Sequence, residues 1–209
     1  MSRSRSSKRW LKEHFDDPYV KRAQAEGYRS RAAFKLIELQ ERFSLARRGN
    51  RVVDLGAAPG GWCQLAVDWV GPKGAVFGLD LLPVDPMPGV ALIEGDFTED
   101  EPLAALEALL DGHGVDLVLS DMAPNISGMV AVDQPRAMYL AELALDFVRQ
   151  HLNKGGRFAV KVFQGEGFDA FLADVRGCFD KVRVVKPKAS RPRSREVYLV
   201  AHGFHGPSG

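Results

Sequence analysis

Cysteine is scarce in this 209-residue chain: Cys63 and Cys178 are the only two. Two isolated thiols exclude a disulfide framework and a cysteine-rich zinc site, and they are compatible with a reducing compartment. No apolar run approaches the roughly 18 residues that a membrane span needs, and no apolar stretch follows the first basic residues as a secretory signal requires. A cytoplasmic protein without membrane association or a metal is the expectation. No internal repeat is visible. The start MSRSRSSKR is Ser- and Arg-rich like a mitochondrial presequence, but Glu13, Asp16 and Asp17 follow too soon for an acid-poor targeting peptide.

What is present suffices for a core. Apolar residues make up 45% of the chain and charged residues 26%, which fits one soluble domain able to bury roughly 70% of its unfolded surface. The net charge of +1 hides a segregation. Residues 1–51 carry 14 basic and 6 acidic side chains, residues 52–180 carry 7 and 20, and residues 181–209 carry 7 and 1. Basic ends around an acidic centre suit a protein that neutralises phosphates with its ends and does something else in its middle. Charge alone does not separate this from ends that are merely solvated.

From Arg51 onward, short apolar runs alternate with helix-like stretches, the pattern of a mostly parallel sheet with crossover helices. Strands are expected at Arg51–Leu55, Ala75–Leu79, Val90–Ile93, Val115–Ser120, Gly156–Val162, Lys181–Val185 and Glu196–Ala201. Helices are expected at Ser30–Phe43, Gly61–Val70, Glu99–Leu110, Pro135–His151 and Phe168–Phe179, with Ser30 as a cap and Pro135 in a first turn. In the first of these, Ala33, Leu36, Ile37 and Phe43 form the buried side and Lys35 faces another way. The Pro- and Arg-rich stretch 186–195 leaves no room for a helix, so the last strand should return antiparallel. The expected organisation is a basic N-terminal arm or helix over residues 1–28, one α/β domain over 29–202 and a short tail over 203–209.

The strongest local signal is VDLGAAPGGW at residues 53–62, a strand ending in an acid, Asp54, and a glycine-rich turn that opens a helix. Glycine lets backbone N–H groups approach a ligand closely, and the first strand of a doubly wound sheet delivers such a turn to the crevice where strand order reverses. The spacing is neither G-x-G-x-x-G nor a Walker loop, so a pyrophosphate cradle is poor. An acid before the turn suits a cationic ligand, and S-adenosylmethionine carries both an ammonium and a sulfonium. Asp80 closes the second strand, where an acid bonds ribose hydroxyls in Rossmann-like sites, and Asp96 closes the third, where it can accept from an adenine amino group beside Phe97. Trp62 either lines that pocket or simply packs.

The fourth strand ends in SDMAPN, which puts Asp121 at the same crevice without the aromatic that base-amino methylation uses to stack a flipped base. Neither cysteine sits where a cytosine C5 nucleophile would, so the target reads as a hydroxyl. Lys161 is the one lysine in the apolar fifth strand. Burial, or a second cation such as Lys35, would make it a usable base near neutral pH. Glu196 can hold Lys161 by a charge-assisted hydrogen bond or pair with Arg193 or Arg195, and both stay open.

Together VDLGAAPGGW, SDMAPN, SGMVAVDQPRAMYL, KVFQGEGFD and SRPRSREVYLVA, with RWLKEHFDDPYV and GYRSRAAFKL upstream, resemble the FtsJ/RrmJ (RlmE) family of bacterial ribosomal RNA ribose methyltransferases over nearly the full length. The resemblance implies a Rossmann-like class I methyltransferase fold and S-adenosylmethionine as methyl donor. It implies a uridine 2′-hydroxyl in the A-loop of 23S rRNA, within the assembled 50S subunit, as acceptor. It also puts a catalytic Lys-Asp-Lys-Glu tetrad on Lys35, Asp121, Lys161 and Glu196, and cofactor contacts on Gly60, Trp62, Asp80, Asp96 and Asp121. The departures are Cys63, where serine is familiar, and the short tail. RNA is expected along Arg3, Arg5, Lys8, Arg9, Lys21, Arg22, Arg29 and Arg31, and along Lys186, Lys188, Arg191, Arg193 and Arg195. The alternatives are 2′-O-methylation of tRNA or capped RNA, a ribosome-assembly factor with little turnover, and a Rossmann dehydrogenase, which the missing G-x-G-x-x-G disfavours. A monomer is the default.

Overall fold

The computed structural model describes residues 17–206. The basic positions Arg3, Arg5, Lys8 and Arg9 lie outside the described residues. Two helices, α1 (Pro18–Glu26) and α2 (Ala33–Phe43), precede β1 (Arg51–Leu55), α3 (Gly61–Val70) and β2 (Ala75–Asp80). Then follow β3 (Val90–Glu94), α4 (Asp100–Leu110), β4 (Val115–Ser120), α5 (Val130–His151), β5 (Leu152–Phe163), α6 (Phe168–Arg176), β6 (Phe179–Val185) and β7 (Glu196–Phe204). No helix among the described residues is long and apolar enough to cross a membrane.

The seven strands form one sheet in the order β3-β2-β1-β4-β5-β7-β6. Only β7 runs antiparallel to its neighbours, as the short 186–195 connection requires. Both faces are covered. Leu106 and Leu110 of α4, Ala144 and Leu145 of α5 and Phe171 of α6 pack one side, while Leu36 and Leu39 of α2 and Cys63 and Ala66 of α3 pack the other. Burial on both faces explains why β1 and β4 read as almost continuous apolar runs.

Several boundaries differ from expectation. Residues 18–26, placed in the arm, form a helix started by Asp17, whose side chain accepts from the Tyr19 N–H, and by Pro18 in the first turn. Ser30 is not a cap: α2 starts at Ala33 with no side-chain cap bond, because Ser30 gives only its backbone carbonyl to the turn. Pro135 lies inside α5, which begins at Val130. Asp133 pins that earlier start by accepting from the Ser127 N–H and hydroxyl and from the Gly128 N–H, and the proline removes one helical bond of the second turn. β5 begins at Leu152, and its register against β4 shifts between the Val115 and Leu117 pairs. β7 extends to Phe204, two residues into the expected tail.

Candidate active site

Strand order reverses between β1 and β4, which are neighbours in the sheet. The loops leaving the carboxyl ends of adjacent strands diverge there and open a crevice. A cavity of about 440 Å³ occupies it, lined by Gly56 and Ala58 after β1, Asp80 at the end of β2, Asp96 and Phe97 after β3, and Asp121 and Met122 after β4. Gly56 is required by contact as well as by its φ of 84°: a Cβ there would meet the Met122 backbone nitrogen at 2.8 Å. The loops after β1 and β4 can approach this closely only without a side chain.

Three carboxylates face this space, and two of them, Asp80 and Asp96, are held by backbone N–H groups of the surrounding loops. Asp80 accepts from the Ala58 N–H at 2.9 Å and the Leu82 N–H at 2.8 Å. One oxygen of Asp96 accepts from the Thr98 N–H at 2.9 Å and hydroxyl at 2.8 Å. Asp54, expected to face a cationic ligand, does not belong to the set. It is fully buried, points at Cys63 and takes a hydrogen bond from that thiol at 3.2 Å. Burial, with smaller contributions from Asp121 and Asp80, raises its carboxyl to about 7 against the opposing thiol bond. The third acid of the crevice is Asp121, which immediately follows β4, whereas Asp54 lies inside β1 and its side chain points to the buried face beside Cys63.

Gly60 and Trp62 are absent from the cavity lining. Gly60 caps α3 at φ 103°. Trp62 is 3% exposed, donates its indole N–H to the Ala32 carbonyl at 2.8 Å and packs on Tyr198 with ring centroids 5.8 Å apart. Packing of the loop helix onto α2 thus uses the side chain that the sequence left open to either role.

At the rim, Lys35, Asp121, Lys161 and Glu196 come together from α2, the β4 loop, β5 and β7. Lys161 Nζ donates to the Asp121 carbonyl at 2.7 Å and pairs with Asp121 Oδ1 at 3.1 Å. Lys35, expected to face away from the core, is only 6% exposed and pairs with Glu196 Oε1 at 2.7 Å. Glu196 therefore holds Lys35, and neither Lys161 nor the nearby arginines is its described partner. The β5–β7 register gives the reason, since Lys161 lies opposite Tyr198 and Glu196 lies opposite Phe163, one same-face step further along.

Two residues of this network were missed in the sequence. Tyr198 donates to Asp121 Oδ1 at 2.6 Å and accepts from Lys35 Nζ at 3.3 Å, joining the two ion pairs. The Ser190 hydroxyl donates to Glu196 Oε1 at 2.7 Å. A period-2 reading of β7 would have placed Tyr198 on the face of Glu196, whereas nothing local marks Ser190. Burial alone would raise the Asp121 carboxyl, but the charges of Lys161 and Lys35 and the bonds from Tyr198 and Lys161 hold it below its usual range. Glu196 is likewise lowered: burial is outweighed by the Lys35 charge and bonds from Lys35 and Ser190. Burial, then the charges of Asp121 and Glu196, push the Tyr198 phenol well up, so it stays a neutral donor.

The basic residues next to the site are partly structural. Arg29 donates to the carbonyls of Asp85 at 2.7 Å and of Pro59 and Pro86 at 3.3 Å. Arg31 donates to the Ala189 carbonyl at 2.6 Å and pairs with Asp17 at 2.9 Å, which ties α1 to the β6–β7 loop.

A glycine turn after β1, carboxylates at the ends of the following strands and a cavity at the switch point define a Rossmann-like α/β domain of the class I methyltransferase kind. Residues 28–204 match the model of the FtsJ-like methyltransferase family. The chain is 61% identical over 203 residues to ribosomal RNA large subunit methyltransferase E of Chromohalobacter salexigens, covering 97% of each. It is 57% identical over 206 residues to the protein of that name from Pseudomonas aeruginosa, covering 99% of this chain and all of the other. Among solved structures it is similar to a Plasmodium falciparum protein described as a ribosomal RNA methyltransferase, with a TM-score of 0.75 and 31% identity over 86% of this chain and 100% of that one. The chain belongs to the FtsJ-like methyltransferase family.

Proposed function

We propose that this protein transfers a methyl group from S-adenosylmethionine to the ribose 2′-hydroxyl of a uridine in the A-loop of 23S rRNA, carried in the 50S subunit. One observation carries the reading: Asp121 belongs both to the acidic cavity and to the network containing both lysines, so donor and acceptor sites meet at one residue. The names of the relatives, which specify large-subunit ribosomal RNA, favour that acceptor over tRNA or capped RNA.

The cavity's chemistry fits the cofactor, since it offers carboxylate acceptors on a cleft of about 440 Å³. Asp80 would accept from ribose hydroxyls, Asp96 from the adenine amino group, and Asp121 would face the cationic end. Gly60 and Trp62 would act through the loop they shape. When bound, the cofactor supplies a methyl group already activated on a sulfonium. The remaining work is positioning and proton handling. Lys161 makes two contacts to Asp121, which fix the direction of its amino group; as general base it would take the acceptor's hydroxyl proton. As an ammonium it would instead turn a third N–H toward the ribose oxygen and steer it electrostatically, the proton leaving to water. Lys35, held by Glu196, would contribute positive charge beside the RNA, and exposed lysines and arginines of both basic ends would contact phosphates.

The test is transfer from radiolabelled S-adenosylmethionine to unmethylated 50S particles by wild type and Lys161→Ala, with the labelled nucleotide mapped. One labelled A-loop ribose with wild type and none with the variant is expected. Cofactor binding without labelling of 50S particles would overturn the acceptor assignment and favour tRNA, capped RNA or an assembly role.

A further inference from the structure

The tetrad is not two independent ion pairs. Lys35–Glu196 comes from α2 and β7, Asp121–Lys161 comes from the β4 loop and β5, and the described contact joining them is a phenol. Tyr198 is 0% exposed near the start of β7. Its ring packs against Trp62, which anchors the cofactor loop to α2. Both its hydroxyl and Lys161 use the same oxygen of Asp121, Oδ1, so Oδ2 takes part in neither contact.

We propose that Tyr198 is a positioning residue for the transfer, its hydroxyl fixing the Asp121 carboxylate and the Lys35 ammonium in one frame so that Lys161 is presented to the acceptor in a single orientation. The inference rests on the methyl-transfer reading above. A buried tyrosine needs only one partner for its hydroxyl. Here the single O–H is committed to Asp121, while its lone pair receives Lys35, so the group is arranged to hold two charged residues rather than merely to satisfy itself. The donated bond is also one of the interactions that hold the Asp121 carboxyl low. Without it, Asp121 should take up a proton at higher pH and release Lys161.

The experiment compares wild type with Tyr198→Phe, which keeps the ring against Trp62 and removes only the hydroxyl. The acceptor is unmethylated 50S particles, with kcat and both KM values measured across pH 5.5–9. A hydrogen bond to a charged group is worth a loss on the order of tenfold to a hundredfold. It is expected in kcat, with the KM for S-adenosylmethionine unchanged at every pH. Site-specific 3-fluorotyrosine at position 198 returns the hydroxyl and should restore kcat. A kcat within twofold of wild type, or a loss residing wholly in cofactor KM, overturns the proposal while the methyl-transfer reading stands. Thermal unfolding of each variant separates misfolding from misalignment, and failure of 3-fluorotyrosine to rescue a folded protein also overturns it. Absence of labelling by wild type itself removes both readings together.

Discussion

Asp54 beneath the glycine turn should make this protein's stability depend on pH in a way that one amide substitution removes. The carboxyl is fully buried, Cys63 bonds one oxygen, and among the described residues the other oxygen, Oδ1, has no hydrogen-bond partner. Burial raises it from 3.8 to about 7. A group whose folded value lies above its unfolded one contributes stability that is fully present below the unfolded value and is lost as pH rises through the folded value. The full loss between about pH 4 and pH 7 is about 4 kcal/mol, at 1.36 kcal/mol per unit. Between pH 5.5 and pH 8 it is about 2 kcal/mol, or roughly 4–8 °C in Tm for a chain of this size. Thermal unfolding of wild type and Asp54→Asn at constant ionic strength isolates this component in the difference between the two curves. His202, which burial pushes below its ordinary value, acts with the opposite sign on both proteins and cancels. The wild-type Tm should fall relative to the variant across this window and run parallel to it above about pH 8. Parallel curves throughout would refute the reasoning.

Lys161→Arg keeps the cation but cannot be deprotonated, so if the lysine takes the proton, single-turnover transfer should drop by on the order of 10²-fold or more with cofactor affinity retained. Near-normal transfer would assign Lys161 the electrostatic role. Glu196→Gln leaves the buried Lys35 ammonium without its anionic partner and should cost about 1–3 kcal/mol, read as a lower denaturant midpoint with an unchanged m-value. Gly56→Ala should push the β1 loop off Met122 and weaken S-adenosylmethionine binding in calorimetry by tenfold or more, alongside a lowered Tm. Unchanged affinity would mean that the loop absorbs the contact.

The alternation of apolar runs and amphipathic stretches determined the α/β sheet, all seven strands and the antiparallel return of β7, because period and loop length are local properties of the chain. It also determined which strand ends carry acids, so Asp54, Asp80, Asp96 and Asp121 were all legible as candidates for one crevice, of which Asp80, Asp96 and Asp121 line it. Helix starts were less legible, since Asp133 fixes the beginning of α5 from inside the helix by reaching back to Ser127 and Gly128. Which acid stays outside the cavity was decided by packing: Asp54 points into the α3 side of the sheet, a choice of face that the glycine turn does not encode. The pairing within the tetrad was decided by strand register, which puts Tyr198 opposite Lys161 and moves Glu196 to Lys35. Helix docking depends on contacts between residues more than a hundred positions apart, such as Lys35 and Tyr198, and register on pairs far apart in the chain, such as Lys161 and Tyr198. The residue types of the site were therefore written along the chain, and their partners only in its folding.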